Sequence, residues 1–302
     1  MSKTQQIKID EYDFEVLFHE APKNKGYLFF LHGYPDDLRS WEAQIEYLKD
    51  DFGIIAPNLP GVGKSAKPPL RIFYNAQRLC PALAKLAEKL VPDQSTPIQL
   101  IGHDWGSILL WALVSDEKLA ARFLSFTAIA GPHVALVREL MLSRLTSGVY
   151  VDLENLIKQF FKSWYIYLFQ LPNIPELAWN FLAEPLWEMM LTMAEAPAND
   201  IRRTYSREEI INRATGPLNL YRELLQGKEV PLPDKIRLPV QIIVPERDLA
   251  ITPEIYDDHY RYVTGLKIHR IDANHWVQIE KPSEVSRLIY SFAYDQLKSV
   301  TG

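Results

Sequence analysis

Cysteine occurs once in the 302 residues, at Cys80. A single thiol builds neither a disulfide framework nor a cysteine metal site. Within the amphipathic stretch "NAQRLCPALAKLAEKL" it reads as a small buried residue rather than a nucleophile. The opening "MSKTQQIKIDEYDFEV" lacks an apolar core of signal-peptide length, and no stretch offers the roughly 18 uncharged residues of a spanning helix. The expectation is a cytoplasmic protein with no membrane span. Excess charge is also missing. A formal net charge of −5 gives no general surface for nucleic acid or acidic membrane. "PGVGKS" at 60–65 is not a phosphate loop, because the glycine that pattern needs five residues before Gly63 is Asn58.

What the chain does have is enough length for one large domain or a domain with an inserted lobe, and an apolar fraction of 47% that is ordinary for a globular protein. Short apolar runs at 27–31 "YLFFL", 52–56 "FGIIA" and 98–101 "IQLI" read as buried strands. "SWEAQIEYLKDD" and "NAQRLCPALAKLAEKL" between them read as helices, followed by a helix at 107–114 and a strand at 123–129. Strand and helix in alternation imply an α/β fold with a mostly parallel sheet covered on both faces. From about 132 to 232 the pattern is helical and aromatic, with no clear strand. Alternation resumes at 240–244 "VQIIV" and 266–271 "LKIHRI" and closes on a helix at about 282–297. The division expected is a core of 1–131 and 233–302 interrupted by a helical cap of 132–232.

Four short motifs carry chemistry. In "LIGHDWGS" (100–107), Gly102-x-Asp104-x-Gly106 fits a nucleophile elbow, a tight strand-to-helix turn that lifts its central side chain above the sheet. The following helix N-terminus favours a negative charge there, so Asp104 can remain ionised and attack; an ordinary βα turn with Asp104 as N-cap is the plainer alternative. "HGYP" (32–35) follows the strand "YLFFL", where this architecture takes one oxyanion-hole N–H; Tyr34 and Trp105 would supply the pair. His275 in "DANHWVQIEKP", after the last strand, is the general-base candidate. Asp248 in "VPERDLAIT" would orient it, with Asp257 and Asp258 as neighbouring alternatives and Glu246 as solvated surface. His19, His259 and His269 read as structural, while His103 and His133 are placed as residues that could line the site.

Together these residues resemble the α/β-hydrolase epoxide hydrolases over nearly the whole chain: "HGYP" matches that family's His-Gly-x-Pro, "GHDWGS" its elbow, "ERD" its acid turn and "NHWVQIEKP" its histidine loop. In the insertion, "SWYIYLFQLP" and "PLNLYR" resemble the two cap-tyrosine segments, with Tyr165 and Tyr221 at the matching places and Tyr167 as the alternative if the register shifts by two. The resemblance implies a small apolar epoxide and water as substrates, an ester on Asp104, no cofactor and no metal. His32, His103, Trp164, Phe169 and Trp276 are the pocket candidates, and the protein is expected as a monomer or homodimer.

Haloalkane dehalogenases share the aspartate nucleophile and the following Trp, but commonly carry Asn where this chain has Tyr34 and need no cap tyrosines. An idle hydrolase fold that only binds a ligand would be expected to have lost a triad or oxyanion position, and none is missing. An esterase would need a serine at the apex, whereas Ser107 falls in the helix. "KSWYIYLFQLP" is also similar to caps of hydrolase domains fused to a short-chain dehydrogenase, a second domain not expected here because the chain ends at Gly302.

Overall fold

The computed structural model describes residues 3–147, 150–198, 200–227 and 231–301. Eight strands form one sheet: β1 (Lys3–Ile9), β2 (Tyr12–His19), β3 (Tyr27–Leu31), β4 (Gly53–Pro57), β5 (Ile98–His103), β6 (Ser125–Ile129), β7 (Val240–Pro245) and β8 (Lys267–Ile271), in the order β1-β2-β4-β3-β5-β6-β7-β8. β3 to β8 run parallel, and β2 joins them antiparallel, pairing Val16 with Pro57. The runs read as buried strands are buried because helices cover both faces, so every residue of β3, β4, β5, β6 and β7 is shielded. At the edges the pattern loosens: β2 alternates buried and half-buried residues, and β8 is mostly exposed.

The helices are α1 (Glu42–Leu48), α2 (Ala76–Leu90), α3 (Trp105–Val114), α4 (Glu117–Ala120), α5 (Val134–Ser147), α6 (Tyr150–Lys162), α7 (Trp164–Leu168), α8 (Ile174–Met193), α9 (Arg207–Thr215), α10 (Leu218–Gln226), α11 (Val277–Glu280) and α12 (Pro282–Thr301). The sheet separates two cores. One contains Leu83 of α2 and Leu110 of α3 with Phe29 and Phe126; the other contains Trp41, Val285 and Ile289 with Phe30 and Ile243. Between β6 and β7 the described residues form helices α5 to α10 without a strand, with a small core of their own around Trp179, Trp187, Leu191 and Ile210. No described helix is long and apolar enough to cross a membrane.

Several details depart from the sequence reading. Residues 3–19, for which the sequence reading set no strand boundaries, form the β1–β2 hairpin, pairing Ile9 with Tyr12. "SWEAQIEYLKDD" is a 3-10 turn (Leu38–Trp41) followed by the short α1, and the last helix extends to Thr301. The long aromatic run is broken at Ser163 and Asn173 and kinked at Leu182, three residues before Pro185, whose ring cannot sit inside a regular helix. Cys80 is buried in α2 with its thiol donating to the Leu109 carbonyl at 3.2 Å, as a packing residue should be.

α3 lies so close to β3 that a Cβ on Gly106 would collide with the Leu31 carbonyl. Gly106→Ala should therefore cost about 2 kcal/mol or more and lower the thermal midpoint by at least roughly 3 °C. Calorimetry checks this, and an unchanged midpoint would mean that the helix can move away from β3 freely.

Candidate active site

At the carboxyl end of β5 the chain turns into α3 within one residue. Asp104 takes φ 49°, ψ −118°, a backbone region costing about 1–3 kcal/mol for a residue with a side chain. The strain is held by Asp104 N–H donating to the Ile129 carbonyl at 3.0 Å and by Ile108 N–H donating to the Asp104 carbonyl at 2.9 Å. Gly102 permits the turn's closeness, since a Cβ there would meet the Ser107 nitrogen at 2.6 Å. The side chain makes no cap hydrogen bond, which removes the plain N-cap reading and leaves the carboxylate for other partners.

Those partners come from other strand ends. Tyr34 N–H, just past β3, donates to Asp104 Oδ2 at 2.8 Å. His275 Nε2, in the loop after β8, stands 3.6 Å from Asp104 Oδ1, an ion-pair distance rather than a hydrogen bond. Its Nδ1–H donates to Asp248 Oδ2 at 2.9 Å, and Asp248 Oδ1 accepts from Ala250 N–H at 2.7 Å and Ile251 N–H at 3.1 Å. Asp248 thus sits just beyond β7 with both oxygens engaged; of the neighbouring alternatives, Asp257 pairs instead with Arg270, and Asp258 with Arg261. Trp105 opens α3, so its main-chain N–H belongs to the unpaired first turn beside the carboxylate.

Aromatic rings from the inserted helices close over this end of the sheet. Tyr221 packs edge-on against Trp105 (4.9 Å between centroids), Tyr34 (5.1 Å) and Tyr165 (5.8 Å), and Phe169 touches Tyr34, Tyr165 and Tyr221. Tyr167 points the other way, 53% exposed, against Phe160. Burial, with the Asp104 charge adding to it, raises the Tyr165 phenol far above its ordinary 10; Tyr221 is raised by burial, Tyr165 and Asp104. Both therefore stay O–H donors at neutral pH.

Of the pocket candidates, Phe169 joins the cluster. Trp164 does not: it is 61% exposed at the start of α7, one residue from Tyr165 and so turned to another face. His32 is fully buried with both ring nitrogens occupied, donating from Nδ1 to the Gly33 carbonyl (2.8 Å) and accepting the Leu59 N–H on Nε2 (2.9 Å), which fixes the loop that carries Tyr34. His103 lies behind His275, with Nε2 3.0 Å from the His275 carbonyl, and burial lowers it to about 3. Trp276 packs edge-on against His275 at 5.0 Å, donates to Asp36 at 2.8 Å and lies under the Arg202 guanidinium. His133 sits beside Ser115 and His259, two to three turns along α3 from Asp104. Sequence reasoning missed Asp36, directly after "HGYP", which burial raises to about 7 against the opposing effects of Arg202 and the Trp276 N–H. Among the described residues no cluster of His, Cys, Asp or Glu fits a metal ion.

The sequence profile of the α/β hydrolase fold matches residues 26–282. The chain belongs to the α/β hydrolase fold family. Among its curated relatives within that fold, "Probable oxidoreductase EphD" of Mycobacterium tuberculosis is 24% identical over 292 residues, covering 92% of this chain, which spans only 47% of that protein. "Epoxide hydrolase 3" of Xenopus tropicalis is 26% identical over 295 residues, covering 93% of this chain and 75% of that one. A crystal structure of an epoxide hydrolase from Bacillus megaterium bound to an inhibitor superposes with a TM-score of 0.73 at 23% identity, over 96% of this chain and all of the other chain.

Burial alone would lower His275, but the charges of Asp248 and Asp104 and its contacts with them raise it to about 10; burial would raise Asp104, and His275 together with the Tyr34 N–H holds it below the usual range. These opposite shifts favour an imidazolium beside a carboxylate. Because the folded His275 value is raised, its stabilisation is complete below the unfolded value near 6.5 and is lost as pH climbs through about 10. NMR titration should find His275 protonated above pH 8, and Asp104→Asn should shift its midpoint down; an ordinary midpoint near 6.5 in both proteins would overturn the pairing.

Proposed function

We propose that this hydrolase opens a lipophilic epoxide to a vicinal diol in two steps, with residues 132–232 acting as a cap over a core of 1–131 and 233–302. The observation that carries the reading is the packing of the Tyr165 and Tyr221 rings against each other and of Tyr221 against Trp105, next to the paired Asp104 and His275. Ring opening demands this set: a carboxylate to attack carbon, and O–H donors for the oxygen that leaves.

In the first step one Asp104 oxygen bonds to an epoxide carbon as that carbon's bond to the ring oxygen breaks. Tyr165 and Tyr221 hold the resulting alkoxide, which takes a proton. His275 loses one in the same interval, because esterification removes the Asp104 charge that helped keep it protonated, so the step conserves protons overall. Neutral His275, still oriented by Asp248, then takes a proton from water as the oxygen attacks the ester carbonyl of Asp104. Tyr34 and Trp105 N–H groups receive the tetrahedral oxyanion. Collapse returns the Asp104 carboxylate and the imidazolium, and releases the diol. An aspartate at the apex suits a substrate with no carbonyl, since the ester carbonyl that water cleaves then belongs to the enzyme.

Phe169, Tyr34 and Trp105 give the site an apolar wall, which supports a lipophilic epoxide. The Trp105 ring packs against Tyr221, an arrangement that supports oxygen capture by phenol over halide capture by indole.

His275→Gln should stall the second step. Intact-protein and peptide mass spectrometry after incubation with a panel of lipophilic epoxides and alkyl halides should show the mass of a whole epoxide on the Asp104 peptide. An alkyl adduct with halide release would make the protein a dehalogenase instead, and no adduct with any probe would sink the nucleophile assignment. Tyr165→Phe and Tyr221→Phe should each slow ester formation by roughly 10²–10⁴-fold in rapid-quench assays. Unchanged rates in the double variant would remove the support for epoxide opening.

A further inference from the structure

Helix α6, which leads into the tyrosine helix α7, also grips the turn that carries the acid. Gln159 of α6 is 7% exposed and makes four side-chain hydrogen bonds. Its oxygen accepts Thr252 N–H at 2.9 Å and the Thr252 hydroxyl at 2.7 Å; its nitrogen donates to the Ala250 carbonyl at 3.0 Å and to Ser163 Oγ at 2.9 Å. A main-chain N–H can only donate and a carbonyl can only accept, so the amide has one permissible orientation and all its capacity is used. Three residues on, Lys162 Nζ donates to the Asp248 carbonyl at 2.6 Å.

The two ends of this contact bear on different chemistry. Ala250 lies within the turn whose N–H groups hold Asp248 Oδ1, which leaves Oδ2 for His275. Ser163 is the N-cap of α7, and Tyr165 stands in that helix's first turn. One buried carboxamide is thus bonded both to the element that orients the histidine and to the element that aims the phenol.

We infer that Gln159 is a positioning residue that holds the acid turn and the Tyr165 helix in register, so that ester formation and ester hydrolysis depend on the same contact. The inference rests on the roles given above to Asp104, Tyr165 and His275. An amide that merely fastened α6 to the core would affect stability alone. A coupling amide alters the titration of His275 and both half-reactions. The charged or titratable groups around that histidine are Asp104 from the elbow, Asp248 from the acid turn and His103 from β5, with Asp36 and Arg202 behind Trp276 and Lys162 on the acid turn's carbonyl. None of these is changed by substituting Gln159.

The test uses the full chain as Gln159→Met, which keeps length and removes all four bonds, and Thr252→Val, which removes one bond from the opposite side. Without any substrate, NMR should show the His275 midpoint falling by about one pH unit in Gln159→Met as Asp248 loses its fixed orientation, and the Tyr165 ring signals moving in the same protein. In single turnovers with an aryl epoxide, ester formation and ester decay should both slow by roughly tenfold, and by less in Thr252→Val. A folded Gln159→Met protein with wild-type His275 titration and Tyr165 signals, or with only one half-reaction slowed, overturns the coupling. If Gln159→Met fails to fold, the same two outcomes are read from Thr252→Val. Should the wild type form no ester, the epoxide reading fails by itself, while the substrate-free titration and ring signals still decide the role of Gln159.

Discussion

Two buried carboxylates share one imidazole, and the site depends on that imbalance. With Asp104 ionised, His275 sits between two negative charges, which favour its proton against the effect of burial. In the mechanism proposed above it is not a base in that state, and Asp104 is the paired but available nucleophile. Once Asp104 is esterified, one charge disappears, and the forces keeping the proton on His275 weaken by a comparable amount. Under the proposed mechanism the same residue pair would serve attack before the ester exists and hydrolysis after it.

The sheet explains why these groups can meet. Asp104, Tyr34, Asp248 and His275 follow β5, β3, β7 and β8, parallel strands whose carboxyl ends share one edge of the fold. Strand packing fixes where each loop starts, and local bonds fix the rest: His32 bridges the Tyr34 loop to Leu59, and the Ala250 and Ile251 N–H groups fasten Asp248. The helices between β6 and β7 add what the sheet cannot, the rings of Tyr165 and Tyr221 packed over Trp105. They are moored to the core at several points, among them Arg213 on Asp37, Tyr34 Oη on the Ala214 carbonyl, Asn274 on the Ala194 carbonyl and Lys162 on the Asp248 carbonyl. A buried pair such as Arg213 and Asp37 is weak evidence of stability but fixes geometry well.

The central strands were legible because burial on both faces makes them continuous apolar runs, and the meeting of Asp104, His275 and Asp248 because each lies in a loop just past such a run. β1 was not, since "KTQQIKI" is a polar edge strand that pairs only with β2. The aromatic run at 164–169 was legible as helix but not as to which ring faces inward. Tyr165 and Phe169, four residues apart, share the inner face, whereas Trp164 and Tyr167 fall elsewhere on the turn. Asp36 and Gln159 were invisible for another reason: their partners lie far away in sequence, Trp276 for the first and Ala250 and Thr252 for the second, and no local pattern reports such contacts.

The most direct measurement of the central claim is a single turnover in ¹⁸O-water, with enzyme in excess over epoxide and mass analysis of both the diol and the Asp104 peptide. Attack by Asp104 followed by hydrolysis at its own carbonyl predicts an unlabelled first diol and ¹⁸O in the Asp104 carboxylate. A labelled first diol with no label on Asp104 would mean that water attacks the epoxide directly, and would contradict the account.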